Sequence, residues 1–249
     1  MNNSLVSYIL HLADTTLILA QKNAAWCGHG PVLEQDIAIT NISLDLLGQS
    51  RNLYQYAATL ISDTDEDKLA YLRKEREFKN LLLVEQPNGD WGQTILRQYL
   101  FSQFQYLLFE KLQDSKDEQL AAIATKSLKE IKYHVRWSSE WVIRLGDGTN
   151  ESKVRMQKAI DELWSYTGEM FMSTEYEVQC AAYGTGADGA SLKEEWLQKV
   201  QTVFEEATLT IPAKTFMQSG GKDGVHTEHL GYILTELQYL QRAYPGATW

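Results

Sequence analysis

The feature that most constrains this chain is a long helical repeat of apolar residues that begins near Pro31 and ends near Leu60. One face of the segment places apolar side chains at alternating steps of three and four, the spacing of a helix packed in a bundle. That face consists of Ile39, Ile42, Leu46, Gln49, Leu53, Tyr56 and Leu60. Gln49 interrupts it, one turn after Leu46. Because di-metal bundles carry Glu and His at such an i, i+3 pair, the segment predicts a bundle helix whose metal positions have changed.

The same spacing predicts three more long helices, at residues 4–23, 90–112 and 115–145. Ser115 and Glu118 would open the last of them as a capping box. Shorter helices are predicted at residues 68–78, 151–171, 174–183, 191–209 and 227–244, with a capping box of Ser191 and Glu194 in the fourth. Residues 81–89 are predicted to be an extended segment over a groove.

No strand pattern interrupts these helices, so the predicted fold class is all-α. The arrangement expected is a ferritin-like four-helix bundle with additional C-terminal helices. We predict one domain over residues 1–249, with the core bundle in residues 4–147 and the additional helices in residues 151–249.

Charge and composition exclude several classes of protein. The 249 residues carry a net charge of −10, so the chain lacks the basic surface that non-specific nucleic-acid binding requires. Two cysteines, Cys27 and Cys180, are too few for a disulfide framework and fit a reducing compartment. The first residues lack the pattern of a signal peptide, and no apolar run is long enough to span a membrane. We therefore expect a cytoplasmic protein.

The two halves of the chain repeat one arrangement. Ile131 and His134, in the fourth long helix, form a second i, i+3 pair that follows the first by 85 residues. Two further positions precede the pairs by 30 residues each, on the inward faces of the first and third long helices. Di-iron bundles place Glu on two helices and Glu-x-x-His on the other two. Six positions should therefore converge on one layer: Thr16, Leu46, Gln49, Phe101, Ile131 and His134.

Five of these six positions have lost a usual ligand type, which predicts a degenerate di-iron site without metal. Asp14, Asp45 and Glu130 lie one or two residues away, a rotation of roughly 100–200° about the helix axis, and would point elsewhere. A lone histidine in an apolar seam is most often a neutral core residue, so we expect His134 to be hydrogen-bonded to a neighbouring glutamine.

Four stretches resemble those of one known family. They are NISLDLLGQSRN at residues 41–52, NLLLVEQPNG at 80–89, KEIKYHVRW at 129–137 and GGKDGVHTEHLG at 220–231. With them, essentially the whole chain resembles the non-catalytic, ferritin-like subunits of the multicomponent phenylacetyl-CoA epoxidases, often called PaaC.

This resemblance implies a structural subunit with no catalytic residues and no cofactor of its own. Its partner would be a related di-iron subunit that epoxidises the ring of phenylacetyl-CoA with dioxygen in aerobic phenylacetate degradation, and a reductase would supply electrons. Two alternatives stay open: an active di-iron oxygenase with non-standard ligands, and a stand-alone helical module that binds a ligand.

Two kinds of contact surface are expected. The glycine-rich turn and helix entry with Lys222, His226 and His229 would meet the CoA substrate or the partner, or else pack on the bundle itself. For the interface between subunits the candidates are residues 81–88, the exposed sides of the two central helices, and the C-terminal stretch from residue 222 to Trp249. The apolar run Leu81–Val84 would alternatively be buried against the chain's own helices.

Overall fold

Helices supply all the regular secondary structure in residues 2–247, the part of the chain that the computed structural model describes. The α-helices are α1 (Asn2–Ala24), α2 (Leu33–Leu60), α3 (Glu66–Tyr71), α4 (Leu82–Glu85), α5 (Trp91–Leu112), α6 (Glu118–Gly146), α7 (Asn150–Leu163), α8 (Glu175–Tyr183), α9 (Lys193–Glu206), α10 (Glu228–Leu237) and α11 (Tyr239–Ala243). Short 3-10 turns join several of them. The predicted all-α fold class is confirmed.

The described residues group into two compact units. Residues 2–87 and 220–247 form the first unit, and residues 88–219 form the second. Each unit contains one pair of adjacent long helices joined by a short loop, α1 with α2 and α5 with α6, as in the two halves of a ferritin-like bundle. The single domain over residues 1–249 stays a prediction.

An aspartate of α2 anchors the loop that joins α1 to α2. Helix α2 begins at Leu33, two residues later than predicted, and its preceding residue Val32 is extended and provides no side-chain cap. Asp36, in the first turn of α2, instead accepts hydrogen bonds from the backbone N–H of Gly28 at 2.9 Å and of Gly30 at 3.3 Å. A Cβ at Gly30 would lie 2.7 Å from Asp36 Cα. The loop therefore needs glycine at Gly30, and Asp36 anchors it to α2.

Helix α2 is apolar on two faces. The predicted inward face is buried from Ile39 to Leu53, while Tyr56 and Leu60 at its end are half-buried. On the other side, five large aliphatic residues are exposed, and we name them the α2 outer stripe: Val32, Leu33, Ile37, Leu44 and Leu47. Leu44 is 59% exposed and Leu33 is 70% exposed. An exposed apolar stripe of this kind is typical of an interaction surface.

Helix α5 of the second unit is buried on nearly all sides, from Gly92 to Leu112. Its N-cap is Asp90, whose side chain accepts from the backbone N–H of Gln93 at 3.0 Å. Trp91, in its first turn, meets the edges of Trp137 and Trp141 on α6, with ring centroids 6.0 and 6.2 Å apart. These contacts fix the pairing of α5 with α6.

Both capping boxes predicted from sequence are wrong. Helix α6 begins later, and its cap is Asp117, which accepts from the N–H of Leu120 at 2.9 Å. Ser115 lies outside the helix and donates to the carbonyl of Thr185 at 2.8 Å. Ser191 lies in a 3-10 turn and donates to the carbonyl of Asp188, so α9 starts without a side-chain cap.

Residues 68–89 also differ from expectation. Instead of one charged helix, α3 ends at Tyr71 and a separate 3-10 turn covers Glu75–Glu77. The following segment is not extended over a groove, because Leu82–Glu85 form the single turn α4. The side chains of its apolar run are buried, with Leu82 at 4% exposure. The prediction that Leu81–Val84 lie in an interface between subunits is therefore wrong, and the alternative, burial against the chain itself, is correct.

Candidate functional site

Three of the six degenerate di-iron positions lie in the first unit, and all three are buried. Thr16, Leu46 and Gln49 are 1%, 0% and 1% exposed. The Thr16 hydroxyl donates to the carbonyls of Leu12 and Ala13, each at 3.0 Å, so it is bonded to its own helix. Leu46 offers only hydrocarbon. None of these three positions carries a carboxylate.

The other three positions lie in the second unit and are equally buried. Phe101 is 3% exposed, and Ile131 and His134 are 0% exposed. The backbone carbonyl of His134 accepts a hydrogen bond from Ser138 at 2.6 Å. The convergence of all six positions on one layer stays a prediction.

These side chains do not fit a di-iron centre. Non-haem iron requires carboxylate and imidazole ligands with open coordination positions, and here the positions offer hydrocarbon, one hydroxyl bonded to backbone, one amide and one imidazole. Within residues 2–247, no group of three or more His, Cys, Asp and Glu side chains is arranged to hold a metal ion.

Asp14, the nearest acid to Thr16, belongs to a different network. Its buried carboxylate accepts hydrogen bonds from the Tyr54 hydroxyl, the Arg73 guanidinium and, at 2.8 Å, the backbone N–H of Lys79. Burial and the charge of Asp14 raise the pKa of Tyr54 well above its usual value of 10.0, so the phenol remains a donor. Arg73 also lies over the Phe78 ring, 4.2 Å from its centroid. The carboxylate is thus fully used in joining α1, α2 and the segment after α3.

A second buried carboxylate, that of Glu85, forms hydrogen bonds with the C-terminal segment. It accepts from the Asn80 amide at 2.9 Å, the Thr227 backbone N–H at 2.7 Å and the Thr227 hydroxyl at 2.8 Å. His226 Nδ1 lies 3.0 Å from the same carboxylate, and His226 Nε2 lies 3.0 Å from the carbonyl oxygen of Phe78. We call this arrangement of Asn80, Glu85, His226 and Thr227 the Glu85 latch.

The surroundings of His226 favour its imidazolium form. Both ring nitrogens face oxygen acceptors, a carboxylate and a carbonyl, and a proton on each nitrogen satisfies both. Burial alone would lower the pKa of His226, but the hydrogen bond and charge of Glu85, the Phe78 carbonyl and the more distant Asp14 outweigh it and raise the pKa. When His226 is protonated, it forms an ion pair with Glu85 in which both side chains are 0% exposed.

The structure places the three residues expected to meet CoA or the partner at different depths. Lys222 is 2% exposed, His226 is bonded inside the latch, and only His229 is half-exposed. Their contact with CoA or a partner stays a prediction. Glu85 was missed by sequence reasoning, and the only signal was an acid directly after the apolar run of residues 81–84.

Further hydrogen bonds hold the C-terminal helices on the first unit. Gln238 donates to the carbonyls of Ala70 and Arg73 at 3.2 and 3.1 Å. Arg242 donates to the carbonyls of Leu72 and Arg73 at 3.3 and 3.0 Å. The exposed side of this segment carries Tyr232, Tyr239, Leu240 and Tyr244. The last residues of the stretch from 222 onward, Thr248 and Trp249, lie outside the described residues.

The all-α architecture, with its two pairs of long helices, is that expected of a ferritin-like protein. The chain belongs to the family of phenylacetic acid catabolic proteins, which matches residues 1–249. It is 49% identical over 247 residues to a subunit of the 1,2-phenylacetyl-CoA epoxidase of Escherichia coli (strain K12). That similarity covers 99% of this chain and 100% of the relative. In the described part of the chain, no helix is both long and apolar enough to cross a membrane.

The Glu85 latch predicts that stability falls as the pH rises. Because the folded-state pKa of His226 is raised above the ordinary value of 6.5, its contribution is complete below that value and is lost as the pH passes through the raised pKa. Urea unfolding from about pH 6 to about pH 9 should therefore show a decline that is weaker in His226→Gln. His29→Gln, at an exposed histidine, is the control. Equal pH slopes in wild type and His226→Gln would contradict the assignment.

Burial of Leu46 predicts a large cost for introducing a carboxylate there. Leu46→Glu would place an unpaired charge among hydrocarbon and should lower the free energy of unfolding by several kcal/mol, on the order of 3–5. Leu44→Glu, two residues away on the exposed side of the same helix, should change it by less than about 1 kcal/mol. Chemical denaturation at neutral pH compares the two, and equal effects would show that the environment of Leu46 is hydrated.

Proposed function

We propose that this chain is the structural, non-catalytic subunit of a multicomponent di-iron phenylacetyl-CoA epoxidase in aerobic phenylacetate degradation. The observation that carries the proposal is the similarity, over the full length of both chains, to a protein named as a subunit of 1,2-phenylacetyl-CoA epoxidase. Membership of the phenylacetic acid catabolic protein family supports it.

The chemistry would be performed by a related di-iron subunit, with electrons supplied by a reductase. The hydrocarbon side chains of Leu46, Phe101 and Ile131 favour a structural role for this chain, because a di-iron centre requires carboxylates at such positions. We propose that the chain carries no metal and no other cofactor of its own.

We further propose that the α2 outer stripe is a docking surface for the catalytic subunit. Its five exposed aliphatic residues lie along the side of a central helix, where hydration is unfavourable and burial in a complex would be favourable. Permanent interfaces between subunits are larger and more apolar than transient ones, typically above about 2,000 Å². The exposed tyrosines of α10 and α11 would extend the contact.

The proposal predicts that Leu44→Glu weakens the complex without unfolding the subunit. A charge in the stripe would have to be desolvated on association, so affinity for the co-expressed catalytic subunit should fall at least about tenfold. Val154→Glu, at a residue 68% exposed on α7, is the matched control and should bind normally. Size-exclusion chromatography and titration measure the affinity, and circular dichroism checks the fold.

Epoxidation and iron content distinguish the alternatives. Epoxidation of phenylacetyl-CoA by the reconstituted complex should fall in parallel with association, although no ligand position is changed. Full activity without this subunit would refute the structural role. About two iron atoms per isolated chain, lost in His134→Ala, would instead indicate an active di-iron oxygenase.

A further inference from the structure

A cleft in the second unit concentrates positive charge on an acidic protein. It has a volume of about 560 Å³ and lies between α5, α6 and α9. Its charged and aromatic lining consists of Lys129, Lys132, Arg136, Lys199, Tyr106 and Tyr133. The whole chain carries a net charge of −10, so four cations around one concavity are a marked local reversal of charge.

Most of these cations are not neutralised by the protein. Lys129, Lys132 and Arg136 are exposed on α6, and no carboxylate in residues 2–247 lies within 4.0 Å of their charged atoms. Lys199 pairs with Glu195 at 3.5 Å. Elsewhere in the second unit, Lys158 and Arg155 each have a carboxylate partner one turn away, Glu162 and Glu151.

The spacing along α6 adds to the repulsion. Positions 129, 132 and 136 are separated by three and four residues, so their side chains are neighbours on one side of the helix. Like charges at that spacing destabilise a helix, and an anion between them would relieve the repulsion. Two acids are near the cleft, Glu195 and Glu110, and the hydrogen bond to Glu110 raises the pKa of Tyr106. The four cations still exceed these two carboxylates.

The tyrosines offer flat surfaces at the same place. Tyr133 is 37% exposed, and the Arg136 guanidinium carbon lies 5.7 Å from its ring centroid. Tyr106, across the cleft on α5, is half-buried. Aromatic and guanidinium planes stack on nucleobases, while lysine and arginine bind phosphate groups. The volume lies within the range of sites for single small molecules, about 300–1,000 Å³.

We propose that this cleft binds an adenine nucleotide that carries two or more phosphate groups. The basic residues of α6 and Lys199 hold the phosphates, and Tyr106 or Tyr133 stacks on the base. A concave site of this size favours a small molecule over an acidic protein surface, which would need a broad and shallow contact. Coenzyme A and ADP share the required chemistry.

Titration calorimetry of the full chain with coenzyme A, dephospho-coenzyme A, ADP and inorganic phosphate tests this proposal. We expect the nucleotides to bind more tightly than inorganic phosphate and all affinities to fall with added salt. A preference for coenzyme A over dephospho-coenzyme A would identify a third phosphate contact, and equal binding would identify the shared diphosphate. Either result supports the site.

The double variant Lys132→Glu/Arg136→Glu should weaken nucleotide binding at least tenfold. Lys153→Glu/Lys193→Glu makes the same charge change at exposed lysines of α7 and α9 outside the cleft and should leave binding unchanged. Tyr133→Ala should weaken the binding of nucleotides but not the binding of inorganic phosphate. If the double variant does not fold, as judged by circular dichroism, Lys132→Gln should still weaken binding.

Several results would overturn the proposal. They are the absence of nucleotide binding, equal losses in the cleft and control variants, and nucleotide binding no tighter than that of phosphate. Loss of association with the catalytic subunit in the double variant, without any nucleotide binding by the wild type, would assign the cleft to a protein partner instead. Normal association combined with absent nucleotide binding would leave the proposed structural role intact and refute only the nucleotide site.

Discussion

The first unit depends on the buried carboxylate of Glu85. Its partners His226 and Thr227 are 141 and 142 residues away in the sequence, so this contact joins distant parts of the chain. A buried carboxylate is costly unless donors replace its water. Here an amide, a backbone N–H, a hydroxyl and the imidazole ring of His226 do so. Removing any one would leave charge unsatisfied, and this makes the contact specific as well as stabilising.

The apolar side chains at several of the predicted di-iron positions bear on what holds the long helices together. A carboxylate cluster repels itself and needs its cations, whereas leucine, isoleucine and phenylalanine pack without any ion. The buried positions Leu46, Phe101 and Ile131 are therefore compatible with a helix frame that is stable by packing alone. Asp14 lies two residues from Thr16, and its carboxylate accepts hydrogen bonds from Arg73 and Tyr54.

Sequence periodicity predicted the long helices well, because a seam of apolar residues at steps of three and four persists over many turns. Periodicity failed to predict helix ends and short segments, because more than one local structure fits the same residues there. Ser115 and Asp117 are both good caps, and only the structure shows that Asp117 is used. The run Leu81–Val84 is too short for its period to distinguish a buried turn from an extended segment. The partner of His226 could not be predicted, because no local pattern connects it with Glu85.

The division of the chain also bears on the order in which it folds during synthesis. Residues 88–219 are continuous and can form their unit while the last residues are still inside the ribosome. Helix α5, apolar on nearly all sides, is then covered early. The first unit cannot close until residues 226 and 227 have emerged. The segment that is synthesised before residue 88 is thus among the last to reach its final state, and a ribosome that stalls before residue 226 leaves it incomplete.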